Sequence, residues 1–173
     1  MLRAFRSDGL PHFLILSYEI DVVRDLMLVP SFVLSPSAIE PRRPLSSTAR
    51  RAGWVGCNIV LSLVPLTGRI MVVQSGRQAS PDRVRAKFRA LAGLSELSPV
   101  LRGWTLDTLT ALRGLNKRVF TLQDAYALEP QLAKLYPHNR NIRPKIRQQL
   151  QVLRDHQQLR FRGLGEYEFS DAE

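Results

Sequence analysis

The segment NIRPKIRQQLQVLRD, residues 141–155, is the most informative part of this chain. Taken as a helix that turns about 100° per residue, it places four apolar residues within an arc of about 80°: Ile142, Ile146, Leu150 and Leu153. Its polar and basic residues gather on an adjoining face: Arg143, Arg147, Gln151 and Arg154. Asn141 suits the start of this helix, and Pro144 is tolerated in its first turn, where backbone N–H groups have no helical partner. The pattern predicts an amphipathic helix with one buried and one basic face.

The basic face of this helix has the chemistry that reads DNA. Arginine forks match guanine O6 and N7 or phosphate oxygens, and glutamine forms bidentate pairs with adenine. Two helices are predicted before it, one from Thr105 to Gly114 and one that starts at a capping box on Thr121 and is kinked or split at Pro130. A β-hairpin follows, with glycines at its turn in residues 163–165. This order predicts a winged helix-turn-helix domain, and the alternative is an amphipathic surface helix beside an edge hairpin.

The first part of the chain has the pattern of short strands separated by loops. Apolar runs that predict a small sheet lie at residues 13–18, 26–32, 57–61 and 69–73. Residues 35–52 contain three prolines and predict a long loop. A helix is predicted from the Ser80-Pro81 cap to Gly93, followed by a linker over residues 93–103. We therefore expect an α+β protein with one unit over residues 1–100 and the winged helix over residues 101–173.

The net charge points to a polyanionic partner. The chain has 173 residues, with 25 Lys and Arg against 15 Asp and Glu, so its formal charge is +10. Residues 42–51 hold four arginines and no acid, and residues 140–162 hold seven bases and one acid. These two windows, +4 and +6, account for the whole excess, as expected for a surface that neutralises phosphates. The alternative is a solvated face in a protein that simply favours arginine.

Residues that suggest catalysis or metal binding are absent from the printed sequence. No Asp or Glu has a lysine two positions later, which the PD-(D/E)xK nuclease motif requires to place a metal-binding carboxylate beside the lysine. One cysteine, Cys57, and three histidines give no Cys-x-x-Cys spacing and no disulfide framework. We therefore predict no catalytic residue and no metal ligand. No apolar run approaches the roughly 18 to 20 residues of a membrane span, and Asp8 interrupts any signal peptide, so a cytoplasmic protein without membrane contact is expected.

Three blocks together carry a resemblance to a known family: PLSSTARRAGWVGCNI at 44–59, GWT at 103–105 and KIRQQLQVLRD at 145–155. They keep their order and resemble the DpnI-type, or Dam-replacing, restriction endonucleases. Members of that family join a PD-(D/E)xK nuclease domain to a carboxyl-terminal winged helix and cleave GATC sites whose adenine is N6-methylated. The resemblance implies that residues 13 to about 100 form a partial PD-(D/E)xK-like sheet, the later part of the nuclease domain, and that residues 103–169 form the winged helix.

The resemblance and the charge pattern together give a set of expected DNA contacts. The expected residues are Arg50, Arg51, Trp54, Arg140, Arg143, Lys145, Arg147, Gln148, Gln151, Arg154, Arg160 and Arg162. By resemblance, Trp54 is expected to form an aromatic wall against a methylated adenine, and the alternative is a tryptophan that plugs the end of the small sheet.

The chain also departs from the family pattern. In the family, the zinc-binding cysteines and the Asp…Glu-x-Lys site precede the segment with which this chain begins. We therefore expect a truncated form, a monomer that binds double-stranded DNA, including methylated GATC, without cutting it. Magnesium and structural zinc are expected only for a full-length family member. Two alternatives stay open: an active endonuclease whose true start lies upstream, or a winged-helix transcriptional regulator.

Overall fold

Residues 12–170 are described by a computed structural model, which confirms the α+β class. The first part contains six strands: β1 (Phe13–Glu19), β2 (Val22–Val29), β3 (Ile39–Pro41), β4 (Cys57–Ile59), β5 (Ile70–Gln74) and β6 (Arg77–Gln78). An antiparallel sheet has the order β1-β2-β5-β6, and β3 and β4 form a separate two-stranded ribbon. Side chains alternate along β1, so that Phe13 and Ile15 pack on the core while Leu14 and Leu16 on the outer face are 65% and 53% exposed.

The sequence predicts a long loop over residues 35–52, and the first part of that prediction is wrong. Residues 36–38 form a 3-10 turn, and β3 then pairs with β4, with Ile39 opposite Ile59. The loop between strands is therefore residues 42–56. The second predicted strand also ends early, at Val29, because Pro30 has no N–H for the sheet and a 3-10 turn follows it.

Helix α1 (Pro81–Ala92) begins as the sequence predicts. Ser80 caps it, since the serine hydroxyl accepts from the Arg83 backbone N–H at 3.4 Å. The helix packs Val84, Phe88 and Leu91 on a core formed with the four-stranded sheet and the 3-10 turns. That core contains Val29, Val33, Leu34, Ala38, Val64, Ile70, Leu91, Leu94 and Leu106.

The predicted linker over residues 93–103 is wrong. Helix α2 (Pro99–Arg113) begins at a Ser98 cap rather than at Thr105, whose buried hydroxyl instead donates to the Leu101 carbonyl at 2.9 Å. Gly103 lies inside this helix, and a Cβ at its position would come within 3.3 Å of the Pro36 ring, so a residue without a side chain suits the site. The glycine that the sequence suggested as a linker residue instead allows α2 to approach the first part of the chain closely.

The second half has the predicted helical order. It contains β7 (Val119–Thr121), α3 (Leu122–Tyr126), α4 (Glu129–Leu135), α5 (Ile142–Asp155), β8 (Leu159–Gly163) and β9 (Glu166–Phe169). Pro130 lies at the start of α4, so the predicted second helix is split there. Strand β7 was not predicted, and it completes a three-stranded sheet with the order β7-β9-β8. These elements form the predicted winged helix-turn-helix.

Helix α2 contributes to both cores. Leu106 packs with the first part of the chain, whereas Trp104, Leu109 and Leu112 pack with the winged helix. The second core also holds Phe120, Leu132, Ile146, Leu150, Leu153, Leu159 and Phe169. A division into residues 1–100 and 101–173 therefore stays a prediction, since α2 (Pro99–Arg113) crosses that boundary and packs in both cores.

Candidate nucleic-acid interface

Helix α5 is fixed to the winged-helix core by its apolar face. Ile146, Leu150 and Leu153 are fully buried, as the sequence predicts. Gln149 is also fully buried, and its side-chain oxygen lies 2.8 Å from the Thr105 hydroxyl on α2, whose one proton is shared between Gln149 and the Leu101 carbonyl. A buried polar group of this kind is costly without a partner, so the bond defines the rotation of α5 against α2. The opposite face of α5 is thereby held outward.

Arg147 and Gln151 occupy the middle of that outward face. They are one helical turn apart and both are exposed. Neither side chain has a hydrogen bond or ion pair with another residue in the part of the chain that the structure describes. Gln148 is exposed beside them, and its side-chain oxygen accepts from the Lys145 ammonium at 2.8 Å. An unengaged guanidinium and an unengaged amide are thus presented together on one rigid helix.

The two arginines at the edges of this face are already engaged. Arg143 Nε donates to Glu129 Oε2 at 2.6 Å, and Arg154 lies 3.0 Å from Asp155 Oδ1. The Arg143 guanidinium also lies 5.6 Å from the centre of the Tyr126 ring. These neighbours neutralise part of each charge and restrain the side chain. Contact with a phosphate by either arginine would therefore compete with a carboxylate.

The wing extends the basic surface beyond α5. Arg160 on β8 is exposed, and Arg162 Nε lies 4.0 Å from Glu168 Oε2. The hairpin turn uses left-handed backbone, with φ of 98° at Gly163, 51° at Leu164 and 78° at Gly165. Arg140 is exposed in the turn before α5. The helix, the turn and the wing together place these cations on the surface.

The loop over residues 42–56 carries the second predicted group of contacts. Backbone hydrogen bonds close it, from Leu45 N to Trp54 O at 2.9 Å and from Gly53 N to Leu45 O at 3.1 Å. Arg50 and Arg51 are exposed on it. Trp54 is 55% exposed, and its ring lies over Gly56, where a Cβ would come within 2.9 Å of the ring. Trp54 therefore stands on a surface loop and does not plug the small sheet.

All twelve residues expected to contact DNA lie at the surface, with Lys145 half-buried and the other eleven exposed. The structure gathers nine of them on α5, the turn before it and β8, and three on the 42–56 loop. Their contact with DNA stays a prediction. Sequence reasoning missed Arg118, whose Nε donates to Glu168 at 3.2 Å beside the wing, because the strand β7 that follows it was not predicted.

A buried carboxylate lies behind the turn that leads into α5. Asp107 on α2 is 4% exposed and accepts hydrogen bonds from Ser37 Oγ and from the Tyr136 hydroxyl, both at 2.6 Å. Tyr136 stacks on Trp104 with ring centres 3.5 Å apart. Burial, together with the Asp107 charge, raises the pKa of Tyr136 well above its ordinary value, so the phenol keeps the proton that it donates. Asp107 thus joins the first part of the chain to the turn before α5.

The start of α3 is held by a capping box. The Asp124 side chain accepts from the Thr121 backbone N–H at 2.8 Å, and the Asp124 N–H donates to the Thr121 hydroxyl at 3.1 Å. Lys117 Nζ donates to Asp124 at 2.7 Å. These bonds, that from Lys117 first, lower the pKa of Asp124 from 3.8 to about 2. The cap was predicted from the sequence, and Lys117 was not.

We expect the Asp124 cap to contribute stability that disappears in acid. Because the folded state lowers the pKa of Asp124, the contribution is complete well above pH 3.8 and is lost as the pH falls toward about 2. Asp124→Asn should therefore lower Tm at neutral pH, and its Tm should approach that of the parent chain only as the pH falls toward about 2. Thermal melts from pH 7 to pH 2 check this. In Lys117→Ala, NMR titration should find the Asp124 pKa closer to 3.8, and an unchanged pKa would contradict the assignment of its main cause.

The metals implied for longer family members find no binding site in residues 12–170. Within that range, no three His, Cys, Asp or Glu side chains come close enough together to hold a metal ion. The side chains described here therefore do not fit a magnesium or zinc site, and no chemical step is derived through either metal. None of the helices in residues 12–170 is long and apolar enough to cross a membrane.

Comparison with protein families yields two matches that together span most of the chain. Residues 1–97 match a family model described as DpnI, the Dam-replacing family. Residues 101–169 match a second model, described as the Dam-replacing HTH domain. The second match covers α2 through β9, the elements that present the exposed face of α5. A helix-turn-helix domain is a DNA-binding module, so the partner of this part of the molecule is DNA.

Proposed function

The chain belongs to the DpnI-type, Dam-replacing family, and from that premise we propose that it binds double-stranded DNA in a sequence-specific way, with N6-methylated GATC as its site, and that it does not cut the DNA by itself. In this proposal α5 lies in the major groove, and the wing and the turn at Arg140 contact the backbone on either side. The protein acts as a cytoplasmic monomer.

The observation that carries the proposal is the outward pair Arg147 and Gln151. A guanidinium pairs with guanine O6 and N7, and an amide N–H can donate to adenine N7. In the methylated site the N6-methyl group replaces the N6–H that an unmethylated adenine offers to an amide oxygen, so the amide contact there is a single bond. GATC contains both bases, one step apart on the same strand. The bond from Thr105 to Gln149 fixes the rotation of α5, so that neither side chain depends on a flexible element for its position. Preorganisation of this kind favours binding in one defined geometry, because little conformational freedom is lost when the complex forms.

The 42–56 loop supports recognition of the methyl group. Trp54 presents a broad aromatic face beside two arginines that neutralise phosphates. The added N6-methyl group is apolar, and an aromatic ring gives it a surface to pack on while the arginines hold the backbone. In this part of the proposal Trp54 distinguishes methylated from unmethylated adenine, and α5 recognises the sequence.

The proposal that the chain does not cut DNA is supported by the lack of nuclease residues in its sequence. Phosphodiester hydrolysis by this class of nuclease needs two carboxylates on a metal ion and a lysine that steadies the attacking water. No acid in the sequence has a lysine at the second following position. Residues 12–170 also bring no three potential metal ligands together.

A binding experiment with three duplexes tests the proposal. Fluorescence anisotropy would compare the purified chain on methylated GATC, on unmethylated GATC and on a scrambled site, at one fixed salt concentration. We expect the tightest binding on methylated GATC. Trp54→Ala should reduce the preference for the methylated duplex several-fold and leave binding to the unmethylated duplex nearly unchanged.

The same samples separate the competing functions. Equal binding to the GATC and scrambled duplexes would refute sequence-specific binding, and preference for a promoter fragment would favour a winged-helix regulator. Site-specific cuts in methylated plasmid with magnesium present would refute the statement that the chain does not cut DNA. Val55→Ala, which removes a neighbouring exposed apolar side chain from the same loop, is the matched control for Trp54→Ala.

A further inference from the structure

Two clefts meet on helix α1 at Lys87. One, of about 520 Å³, lies between the β5–β6 hairpin and α1, and Arg77, Arg83 and Lys87 line it. The other, of about 760 Å³, lies between α1, the end of α2 and the base of the wing, and Lys87, Lys117 and Arg118 line it. We call Arg77, Arg83, Lys87, Lys117 and Arg118 the α1 tract. Since Lys87 belongs to both clefts, the tract is continuous from the hairpin to the winged helix.

Among residues 12–170, those that line the two clefts include no aspartate or glutamate. Lys117 and Arg118 at one end are paired with Asp124 and Glu168, at 2.7 and 3.2 Å. Arg77, Arg83 and Lys87 have no ion pair within residues 12–170. The centre and the hairpin end of the tract are therefore the part whose positive charge is not compensated by a nearby carboxylate.

Charge counting along the sequence did not reveal this surface. Residues 77–89 hold five bases and one acid, Asp82, but acids elsewhere in the chain cancel that excess in the total. Asp82 is bonded to Arg85 at 3.2 Å, on a different side of the helix from Arg83 and Lys87. In the folded chain Arg83 and Lys87 therefore have no ion pair within residues 12–170, although acids elsewhere balance their charge in the total for the sequence.

We propose that the α1 tract binds the phosphate backbone of duplex DNA that flanks the site read by α5. This inference rests on the proposed function, because it takes the bound polymer to be the same duplex. A cleft with cationic walls and no carboxylate attracts phosphates without regard to sequence, and each phosphate neutralised releases condensed counterions. The tract reaches the wing at Arg118, which lies 3.2 Å from Glu168, and Arg162 of the wing lies 4.0 Å from the same carboxylate. In this proposal a duplex held by α5 and the wing therefore continues along the tract.

The salt dependence of binding on two duplex lengths tests the tract. The variant combines Arg83→Ala and Lys87→Ala, both exposed on α1. On a duplex of about 30 base pairs, the slope of log affinity against log salt should become shallower by about 2, since each lost phosphate contact removes about 0.9. On a duplex of about 12 base pairs, little longer than the helical turn that the winged helix covers, the slope should stay unchanged.

A matched control lies on the same helix. Arg85→Ala with Arg89→Ala removes the same charge at the same spacing from residues that line neither cleft, and it should leave both slopes unchanged. Arg83→Lys with Lys87→Arg keeps the charge and should restore the parent slope. Circular dichroism melts establish that each variant is folded before binding is compared.

The outcomes separate this inference from the proposed function. Specific binding by the parent chain with an unchanged long-duplex slope in the tract variant would overturn the tract and leave the proposed function intact. The tract would also be overturned as a contact to flanking DNA if the salt slope of the variant fell equally on both duplexes. It would be overturned likewise if the variant lost affinity only for single-stranded RNA. No binding of any duplex by the parent chain would overturn both.

Discussion

Asp107→Ala should lower the free energy of unfolding by about 3 kcal/mol, because hydrogen bonds to a charged group contribute roughly 1.5–3 kcal/mol each and two are lost. The carboxylate accepts from Ser37 and from Tyr136, both at 2.6 Å. Its removal leaves the half-buried Tyr136 hydroxyl without its acceptor and leaves the Ser37 hydroxyl with Ser35 Oγ, 2.7 Å away, as its hydrogen-bond partner. Urea titration followed by circular dichroism measures the change as a shift of the midpoint at constant slope.

Single replacements of the two donors separate the parts of this effect. Ser37→Ala and Tyr136→Phe should each lower the free energy of unfolding by about 1–2 kcal/mol, less than Asp107→Ala, since one bond to the carboxylate remains. Their double variant should cost at least as much as Asp107→Ala, because it leaves the buried carboxylate without either donor. A loss under 1 kcal/mol for Asp107→Ala would contradict this account, because it would mean that water or another group satisfies the two hydroxyls.

The winged helix could be predicted from the sequence because its signals are local. The stripe from Ile142 to Leu153, the Thr121 cap and the glycines at the wing turn each act within a few residues, and all are found as predicted. Pro130 splits the second helix for an equally local reason, the lack of a backbone N–H. Periodicity and capping need no knowledge of distant contacts.

The errors lie where distant contacts decide the structure. Ser98-Pro99 has the same cap and proline as Ser80-Pro81, but Gly103 nearby suggested a linker. The close approach of Pro36 explains why a glycine occupies this position of α2. Strand β7 is three residues long and exists only because β9 pairs with it. A pattern of so few residues carries no periodicity of its own.

The candidate site likewise has one part that local sequence signals predict and another that distant contacts decide. The sequence identified which residues of α5 are exposed and cationic, because helical spacing determines that. It did not show that Glu129 and Asp155 engage Arg143 and Arg154, or that Thr105 holds Gln149. Of the predicted reading face, Arg147 and Gln151 therefore emerge as the pair best placed for base contact.

Arg147→Ala combined with Gln151→Ala should weaken specific binding by about 2–4 kcal/mol, because the bidentate arginine contact contributes roughly 1–3 kcal/mol of discrimination and the single amide bond to adenine N7 about 1 kcal/mol more. Both side chains are exposed and unengaged within residues 12–170, so folding should be almost unaffected. Binding to a scrambled duplex should fall far less, since that binding rests on phosphates that other cations contact. Anisotropy titrations on methylated GATC and scrambled duplexes at one salt concentration measure both changes.

Gln131→Ala combined with Lys134→Ala is the matched control. It removes one amide and one cation from the exposed face of α4 in the same domain. The control should leave the ratio of specific to non-specific affinity unchanged, whereas the α5 variant should bring that ratio close to one. An equal loss of affinity on both duplexes in the α5 variant would mean that Arg147 contacts phosphate and that α5 does not read the bases. In that case the sequence preference of the protein would come from the 42–56 loop, and Trp54→Ala would abolish that preference.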